Sequence, residues 1–310
     1  MLNIYESVSQ NKRKSFLVVI FFTIFAFVAI YFTGTGINTY YGYNMSPLGT
    51  MGLALILSGV MSFGSYYFSD KIILTISRAK EANRKEYFDF YTVAENLAIG
   101  TGLPKPKLYV INDSALNAFA TGRNPDHAVI CATTGLLEKL NRTELEGVIA
   151  HELSHVKNYD ILLMSLVSVM VGTIALLGDW FFRARFFGGG KDNDDDKGGL
   201  GAIFMVVGII FALLSPIIAQ FIQLAISRRR EYLADAGSVA ITKQPSGLIS
   251  ALKKISLDQE PLEVANRATA HLYIVNPFKN NGVKKMNTFS NLFNTHPPIE
   301  ARIRALGEMI

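Results

Sequence analysis

The sequence predicts a membrane protein in which helical anchors carry an α+β domain outside the bilayer. Half of the 310 residues are hydrophobic, only 18% are charged, and the mean hydropathy is positive at +0.26. This composition is too apolar for two soluble domains. Charge is also unevenly distributed, because residues 15–69 contain no Asp, Glu, Lys or Arg. Short strand patterns follow this apolar stretch and indicate the α+β part.

The charge-free stretch predicts two membrane-spanning helices. Its apolar runs, residues 16–33 and 47–68, are separated by a polar interval at 34–46, and each is long enough for a bilayer core of about 30 Å. The first run exceeds the usual signal-peptide core of about 7–15 residues, so we expect it to be retained. The predicted organisation is a tail at 1–14, then a two-helix anchor at 15–68 with a short external loop.

A small α+β unit is predicted after the anchor. Residues 85–98 have a helical pattern, and three short strand patterns follow at 107–111, 117–121 and 128–132. The unit is followed by a helix that contains a candidate metal-binding motif. Residues 69–160 therefore form the first half of the predicted domain.

The pentapeptide HELSH begins at His151 and ends at His155. On a helix, the two imidazoles lie one turn apart on one face with Glu152 beside them, which is the arrangement that binds zinc and activates water. The helix is predicted to begin near Thr143, which forms a capping box with Glu146. The alternative is a buried helix whose histidines only form hydrogen bonds. Ligand spacing around a glutamate favours the metal and a metalloprotease.

A catalytic zinc usually has three protein ligands, so the motif needs a further donor. Glu231 is the strongest candidate, and Asp235 lies one helical turn beyond it, where it can orient a ligand histidine. His271, His296 and Asp235 itself are rival donors. Glu231 can also simply pair with its arginine neighbours. Spacing alone leaves this choice open.

A hydrophobic hairpin is predicted within residues 161–226. Residues 161–178 and 198–227 lack charge, and a polar loop at 183–199 separates them. An antiparallel hairpin of these third and fourth membrane segments would return the chain to the HELSH helix. Residues 227–310 then form the second half of the domain.

Basic residues next to membrane segments predict which side faces the cytoplasm. They place both termini and the HELSH helix there, although the loop at 183–199 also carries basic residues. The formal charge of +5 sits beside membrane segments without an aromatic-interleaved basic patch, so no nucleic-acid partner is expected. Cys131 is the only cysteine, which excludes an intrachain disulfide. The flanking basic residues are Lys12, Arg13, Lys14, Lys71, Arg78, Lys80, Arg84, Lys85, Arg228, Arg229 and Arg230.

Several motifs in one order resemble the HtpX family of membrane zinc metalloproteases, relatives of the CAAX prenyl proteases. The resemblance implies a zincin-like cytoplasmic domain with one Zn²⁺ per chain, bound by His151, His155 and Glu231, and with Glu152 as the general base. The motifs are the two N-terminal apolar runs, NAFATG at 117–122, TGLL at 134–137, HELSH, the hairpin, REYLAD at 230–235 and THPP at 295–298.

The resemblance also implies a function. It indicates a multi-pass endopeptidase of the prokaryotic plasma membrane that degrades misfolded or damaged proteins, including membrane proteins, at the cytoplasmic face. Residues 117–121 are the predicted substrate-binding edge strand, since an extended peptide can pair with such a strand; an ordinary sheet strand is the alternative. His296 and Arg302 are candidates for stabilising the oxyanion. Alternatively, Thr295 caps a helix whose first turn holds Pro297 and Pro298 and whose buried stripe is Ile299, Ile303 and Leu306.

Two other classes of protein, and a different kind of zinc protease, are less consistent with the sequence. In a structural protein, zinc would only hold the domain together, and Glu152 would have no use. A transporter would be expected to carry charge well inside its membrane segments, which these runs lack. A CAAX-type protease that trims prenylated tails has more membrane segments than the four predicted here.

Overall fold

A computed structural model describes residues 4–187, 228–266, 268–278 and 297–309 of the chain. The chain folds into a bundle of long apolar helices and a mixed domain with a four-stranded sheet. In chain order, the elements are helices α1 (Ile4–Tyr41) and α2 (Pro47–Ile76), strand β1 (Lys80–Glu81), helix α3 (Phe88–Thr101), strands β2 (Lys107–Ile111), β3 (Ala118–Thr121) and β4 (Val129–Thr133), and helices α4 (Thr134–Lys139), α5 (Arg142–Lys157), α6 (Asp160–Phe187), α7 (Arg228–Thr242), α8 (Pro245–Leu257) and α9 (Ile299–Gly307).

Helices α1 and α2 are long and apolar enough to cross a membrane, and they pack side by side. The predicted loop at 34–46 is too long, because α1 continues to Tyr41 and leaves a connection of residues 42–46. Contact with α2 stabilises this extension. At Gly34, an added Cβ would lie 3.2 Å from Thr50 Cγ2 of α2, so the two helices already approach closely there.

The sheet has the strand order β1-β2-β4-β3, with β2 and β4 parallel and the other neighbours antiparallel. The three strands predicted from the sequence are present, with their ends shifted by at most a residue for β3 and β4. Strand β1 was not predicted, because two exposed residues contain no alternating pattern. Strand β3 is the last strand of the sheet, as predicted for residues 117–121, and α5 packs beside it.

Helix α5 carries the HELSH sequence, and its N-cap is Asn141 instead of the predicted Thr143. The Asn141 side chain accepts from the Glu144 N–H at 3.0 Å, and Glu144 Oε2 accepts from the Asn141 N–H at 2.8 Å. The capping box is therefore real but begins two residues earlier than predicted. Asn and Thr both cap well, so the sequence alone does not decide between them.

Helix α6 begins only two residues after α5 and is inclined to it by 84°. Its buried residues pack against the start of α1, where Val18, Phe22 and Phe25 form a shared core with Leu163 and Val167. Helix α6 thus covers the predicted third membrane segment. The fourth segment and most of the loop at 183–199 lie outside the described residues.

Candidate metal centre

His151, His155 and Glu231 converge at one point between α5 and α7. Their ligand atoms all lie within 4.8 Å of one another, and all three residues are buried. The two Nε2 atoms are 3.2 Å apart, and each lies 3.7 Å from a Glu231 carboxylate oxygen. Tetrahedral zinc with Zn–N distances of about 2.0–2.1 Å would space its ligand atoms by about 3.4 Å. The three residues are therefore already near the spacing that a metal ion requires.

Both histidines have a carboxylate on the ring nitrogen that faces away from this point. His151 Nδ1 lies 3.0 Å from Asp235 Oδ1, as the position of Asp235 after Glu231 had suggested. His155 Nδ1 lies 2.9 Å from Asp160 Oδ2. Such partners fix the tautomer, so that Nε2 carries the lone pair a metal needs. Asp160 was missed by the sequence analysis; an acidic residue at the very start of an apolar run was the signal.

Arg302 lies beside the proposed ligands, with Nη2 at 3.5 Å from His151 Nε2, and its role as an oxyanion donor stays a prediction. It is fully buried and binds Asp235 with two nitrogens, Nε at 2.9 Å and Nη2 at 2.7 Å. Its Nη1 donates to the Ile274 carbonyl at 3.0 Å and lies 3.5 Å from Glu231 Oε2. These contacts make Arg302 a support for Asp235 and Glu231. The other oxyanion candidate, His296, lies outside the described residues, as does Thr295.

Glu152 lies in the same buried pocket, with 2% of its surface exposed. The Ala120 N–H of strand β3 donates a hydrogen bond to it. Burial raises the pKa of Glu152 to about 7, and the nearby Glu231 acts in the same direction against the charges of His155 and Arg302. A carboxylate with such a pKa can accept and release a proton near neutral pH.

The two histidines differ in their protonation. Burial, together with the positive charge of Arg302, lowers the pKa of His151 in spite of its hydrogen bond to Asp235. Burial also disfavours the charged form of His155, but Asp160, Glu231 and Glu152 outweigh this effect and raise the pKa of His155 to about 9. A metal ion would therefore displace a proton from His155.

Two of the three rival donors are located elsewhere or occupied, and the third, His296, lies outside the described residues. The ring nitrogen Nε2 of His271 lies 3.2 Å from Ser168 Oγ and 3.2 Å from the Met164 carbonyl, inside the helical core. Asp235 lies behind His151, on the Nδ1 side. Among the described residues, only Glu231 joins the two histidines in a group that could hold a metal.

Helices α5 and α7 can bring these ligands together because Gly237 allows close approach. An added Cβ at Gly237 would lie 2.1 Å from Ser154 Oγ and 2.8 Å from Ser154 Cβ. We expect Gly237→Ala to push α7 away from α5, to reduce the free energy of unfolding by about 1–3 kcal/mol and to weaken metal binding. Thermal unfolding and metal titration would measure both effects. Gly100→Ala on α3, where an added Cβ meets nothing within 4 Å, should change neither; equal effects of the two substitutions would contradict the explanation.

The apolar helices together with the buried His, His and Glu group define a membrane-anchored metalloprotease. Residues 86–310 match the model of Peptidase family M48, and the chain belongs to that family. Full-length relatives agree. The chain is 42% identical over 307 residues to "Protease HtpX homolog" of Thermoanaerobacter pseudethanolicus, which covers 99% of this chain and 98% of the relative.

A second full-length relative gives the same result. The identity is 40% over 310 residues to "Protease HtpX homolog" of Streptococcus uberis, covering 99% of this chain and all of the relative. A crystal structure of S. mikatae Ste24p superposes on 89% of this chain with a TM-score of 0.47 and 18% identity, and this chain spans 61% of its length. The family and the full-length relatives establish that the protein is a membrane protease, and the family implies a metal ion.

Proposed function

We propose that the protein is a zinc-dependent endopeptidase in which His151, His155 and Glu231 bind one Zn²⁺ per chain and Glu152 is the general base. The observation that carries this proposal is the convergence of two Nε2 atoms and one carboxylate in a buried pocket beside a second carboxylate. Two nitrogens and one oxygen leave a fourth position open, which is the ligand pattern of catalytic zinc. The carboxylate partners on both Nδ1 atoms fit the same chemistry.

Each residue has a definite part in the reaction. Zinc, when bound, would polarise the carbonyl of the scissile peptide and lower the pKa of a water molecule to about 7. Glu152 takes the proton of the attacking water and passes it to the leaving amine. The Ala120 N–H holds the Glu152 carboxylate in place for both transfers. Asp235 and Asp160 keep the two histidines oriented. No covalent intermediate with the enzyme is required.

Strand β3 is the proposed binding strand for the substrate, an extended peptide that would have to displace the segments now covering it, since all four residues of the strand are buried. It is the last strand of the sheet, and one of its main-chain groups holds Glu152. Pairing through the main chain accepts many sequences, which suits misfolded proteins and membrane proteins as substrates. One position is already taken, because Ile274 N–H donates to the Ala118 carbonyl at 2.9 Å. Because the Ala120 N–H is directed at Glu152, the peptide is expected to pair with the Ala120 carbonyl.

We propose that the protein acts in protein quality control at the cytoplasmic face of a prokaryotic plasma membrane. Basic residues next to both anchor helices support this orientation. Helix α6, which continues from the ligand helix and packs on the anchor, is proposed to be the third segment of a multi-pass protein. The ligands would then lie close to the membrane surface, where unassembled membrane proteins are accessible.

The orientation predicts which engineered cysteines are accessible from outside. Cys131 is fully buried, and burial raises the pKa of its thiol, so it should not react. In right-side-out vesicles, an impermeant maleimide should label Asn44→Cys in the connection between α1 and α2. It should label Lys253→Cys, exposed on α8, only after permeabilisation. The reverse pattern would refute a cytoplasmic catalytic domain.

The proposed function is tested by metal content and cleavage of the purified full-length protein in detergent. We expect about one zinc per chain and cleavage of casein that a chelator abolishes and added zinc restores. A protein that binds zinc but cleaves nothing, and that unfolds when the metal is removed, would have a structural metal instead. A protein that cleaves equally well without metal would refute the proposed chemistry.

A further inference from the structure

Polar contacts connect the first membrane helix to the metal centre. Asn11 of α1 is 5% exposed, and its Nδ2 donates to Asp160 Oδ1 at 2.7 Å and to the Asn158 carbonyl at 2.9 Å. The other oxygen of Asp160 holds His155 Nδ1 at 2.9 Å. The anchor is therefore connected to His155, a proposed metal ligand, through the side chains of Asn11 and Asp160.

Arg230 joins the same network from α7, next to the ligand Glu231. Its Nε lies 2.9 Å from Asp160 Oδ1, and its Nη2 lies 3.4 Å from Asn11 Oδ1. The Asn11 amide thus donates to Asp160 and accepts from Arg230, which neither a carboxylate nor an apolar side chain could do. Asp160 is 1% exposed, and a buried carboxylate needs such partners to remain charged.

The turn between α5 and α6 is held by the same part of α1. Tyr159 has a φ of 60°, in the left-handed region that a residue other than glycine rarely adopts. Lys12 Nζ lies 4.2 Å from the centroid of the Tyr159 ring, and Asn11 binds the carbonyl of the residue before it. This turn brings Asp160 back onto His155. Contacts from α1 on both sides of Tyr159 hold the turn in its unusual conformation.

We infer that α1 is a structural part of the metal centre as well as an anchor, because Asn11 fixes Asp160 and Asp160 positions His155. The inference rests on the proposed zinc function. Neither residue touches the metal or the substrate, so both are positioning residues. The consequence is that the full affinity for metal requires α1 to be docked against α5 and α6. Hydrolysis is thereby restricted to chains whose anchor is correctly packed.

The test compares Asn11→Leu and Asp160→Asn with a matched control in the full-length protein in detergent. The control is Thr23→Val, which removes the 2.7 Å hydrogen bond from Thr23 Oγ1 to Ser62 Oγ between α1 and α2, away from the metal centre. Zinc affinity is measured by competition with a chromogenic chelator, and the geometry by the visible absorption of the Co²⁺-substituted protein. We expect zinc binding to weaken about 10–100-fold in Asp160→Asn and about tenfold in Asn11→Leu.

Each outcome of this comparison either supports or overturns the inference about α1. Weaker zinc binding and an altered Co²⁺ spectrum in Asn11→Leu, with Thr23→Val unchanged, support the inference, even if Asp160→Asn fails to fold. Weakening in Asp160→Asn alone overturns the role of the anchor. Equal weakening in Asn11→Leu and Thr23→Val also overturns it, since general packing of α1 would then be the cause. A wild type that binds no zinc overturns the proposed function, and the inference with it.

Discussion

Replacement of Glu152 by glutamine is expected to abolish cleavage and to leave metal binding intact. Glutamine has nearly the same shape, but it cannot accept a proton from water or return one to the leaving amine. General acid–base catalysis contributes about 10²–10⁴-fold to such reactions, so cleavage of casein should fall by at least that factor. Zinc content should not change, because Glu152 is not among the three residues that converge on the metal position.

The matched control for this substitution is Glu146→Gln on the same helix. Glu146 is partly exposed, and its Oε1 lies 3.3 Å from Arg142 Nε, away from the metal centre. Such a surface ion pair contributes about 0–1 kcal/mol, so activity should be kept. Comparable cleavage by Glu152→Gln and the wild type would remove Glu152 from the mechanism. Loss of zinc in Glu152→Gln would show instead that this carboxylate supports the ligands.

Local patterns explain why so much of the fold could be predicted from sequence. The strand at 107–111 has the predicted bounds, and the predicted apolar stripe of α9 packs on the core, with Leu306 fully buried and Ile299 and Ile303 partly buried. Both depend on spacing within a few residues. The end of α1 could not be predicted in this way, because the Gly and Thr residues after residue 33 favour a loop when considered alone, whereas Gly34 packs against Thr50 of α2 and Asn38 binds the main chain of Met45.

The same holds for the site: features that depend on neighbouring residues could be predicted, and contacts between residues far apart in the sequence could not. HELSH is a local pattern, and the position of Asp235 after Glu231 indicated a partner for a histidine. The connection of Asn11 to Asp160 joins residues 149 positions apart, and Arg302 reaches Asp235 over 67 positions. No short motif includes either pair. Analogy with other zinc proteases suggested Arg302 as an oxyanion donor, but no local pattern indicated that its nitrogens also contact Asp235, Glu231 and Ile274.

Among substitutions of the carboxylates around the site, we expect Glu231→Gln to cause the largest loss of metal affinity. Each ring Nε2 lies 3.7 Å from a Glu231 oxygen, so the substitution removes a charged donor from the metal position itself. Asp235→Asn changes a carboxylate one turn away that binds Arg302 and touches His151 at its far nitrogen, Nδ1. Outer partners of this kind contribute about 10–100-fold to metal affinity, and we expect Glu231→Gln to exceed that range.

The comparison of these two substitutions tests the third ligand directly. Both remove one negative charge near Arg302 while keeping the size of the side chain, but Arg302 lies 2.7 Å from Asp235 and 3.5 Å from Glu231, so the lost ion pair is the stronger one in Asp235→Asn. A greater loss of zinc affinity in Glu231→Gln would therefore come from direct coordination. Chelator competition and casein cleavage in detergent would measure it. If Asp235→Asn weakened zinc binding as much as Glu231→Gln, or Glu231→Gln bound zinc normally, the third ligand would have to be another residue, and His296 would be the next to replace.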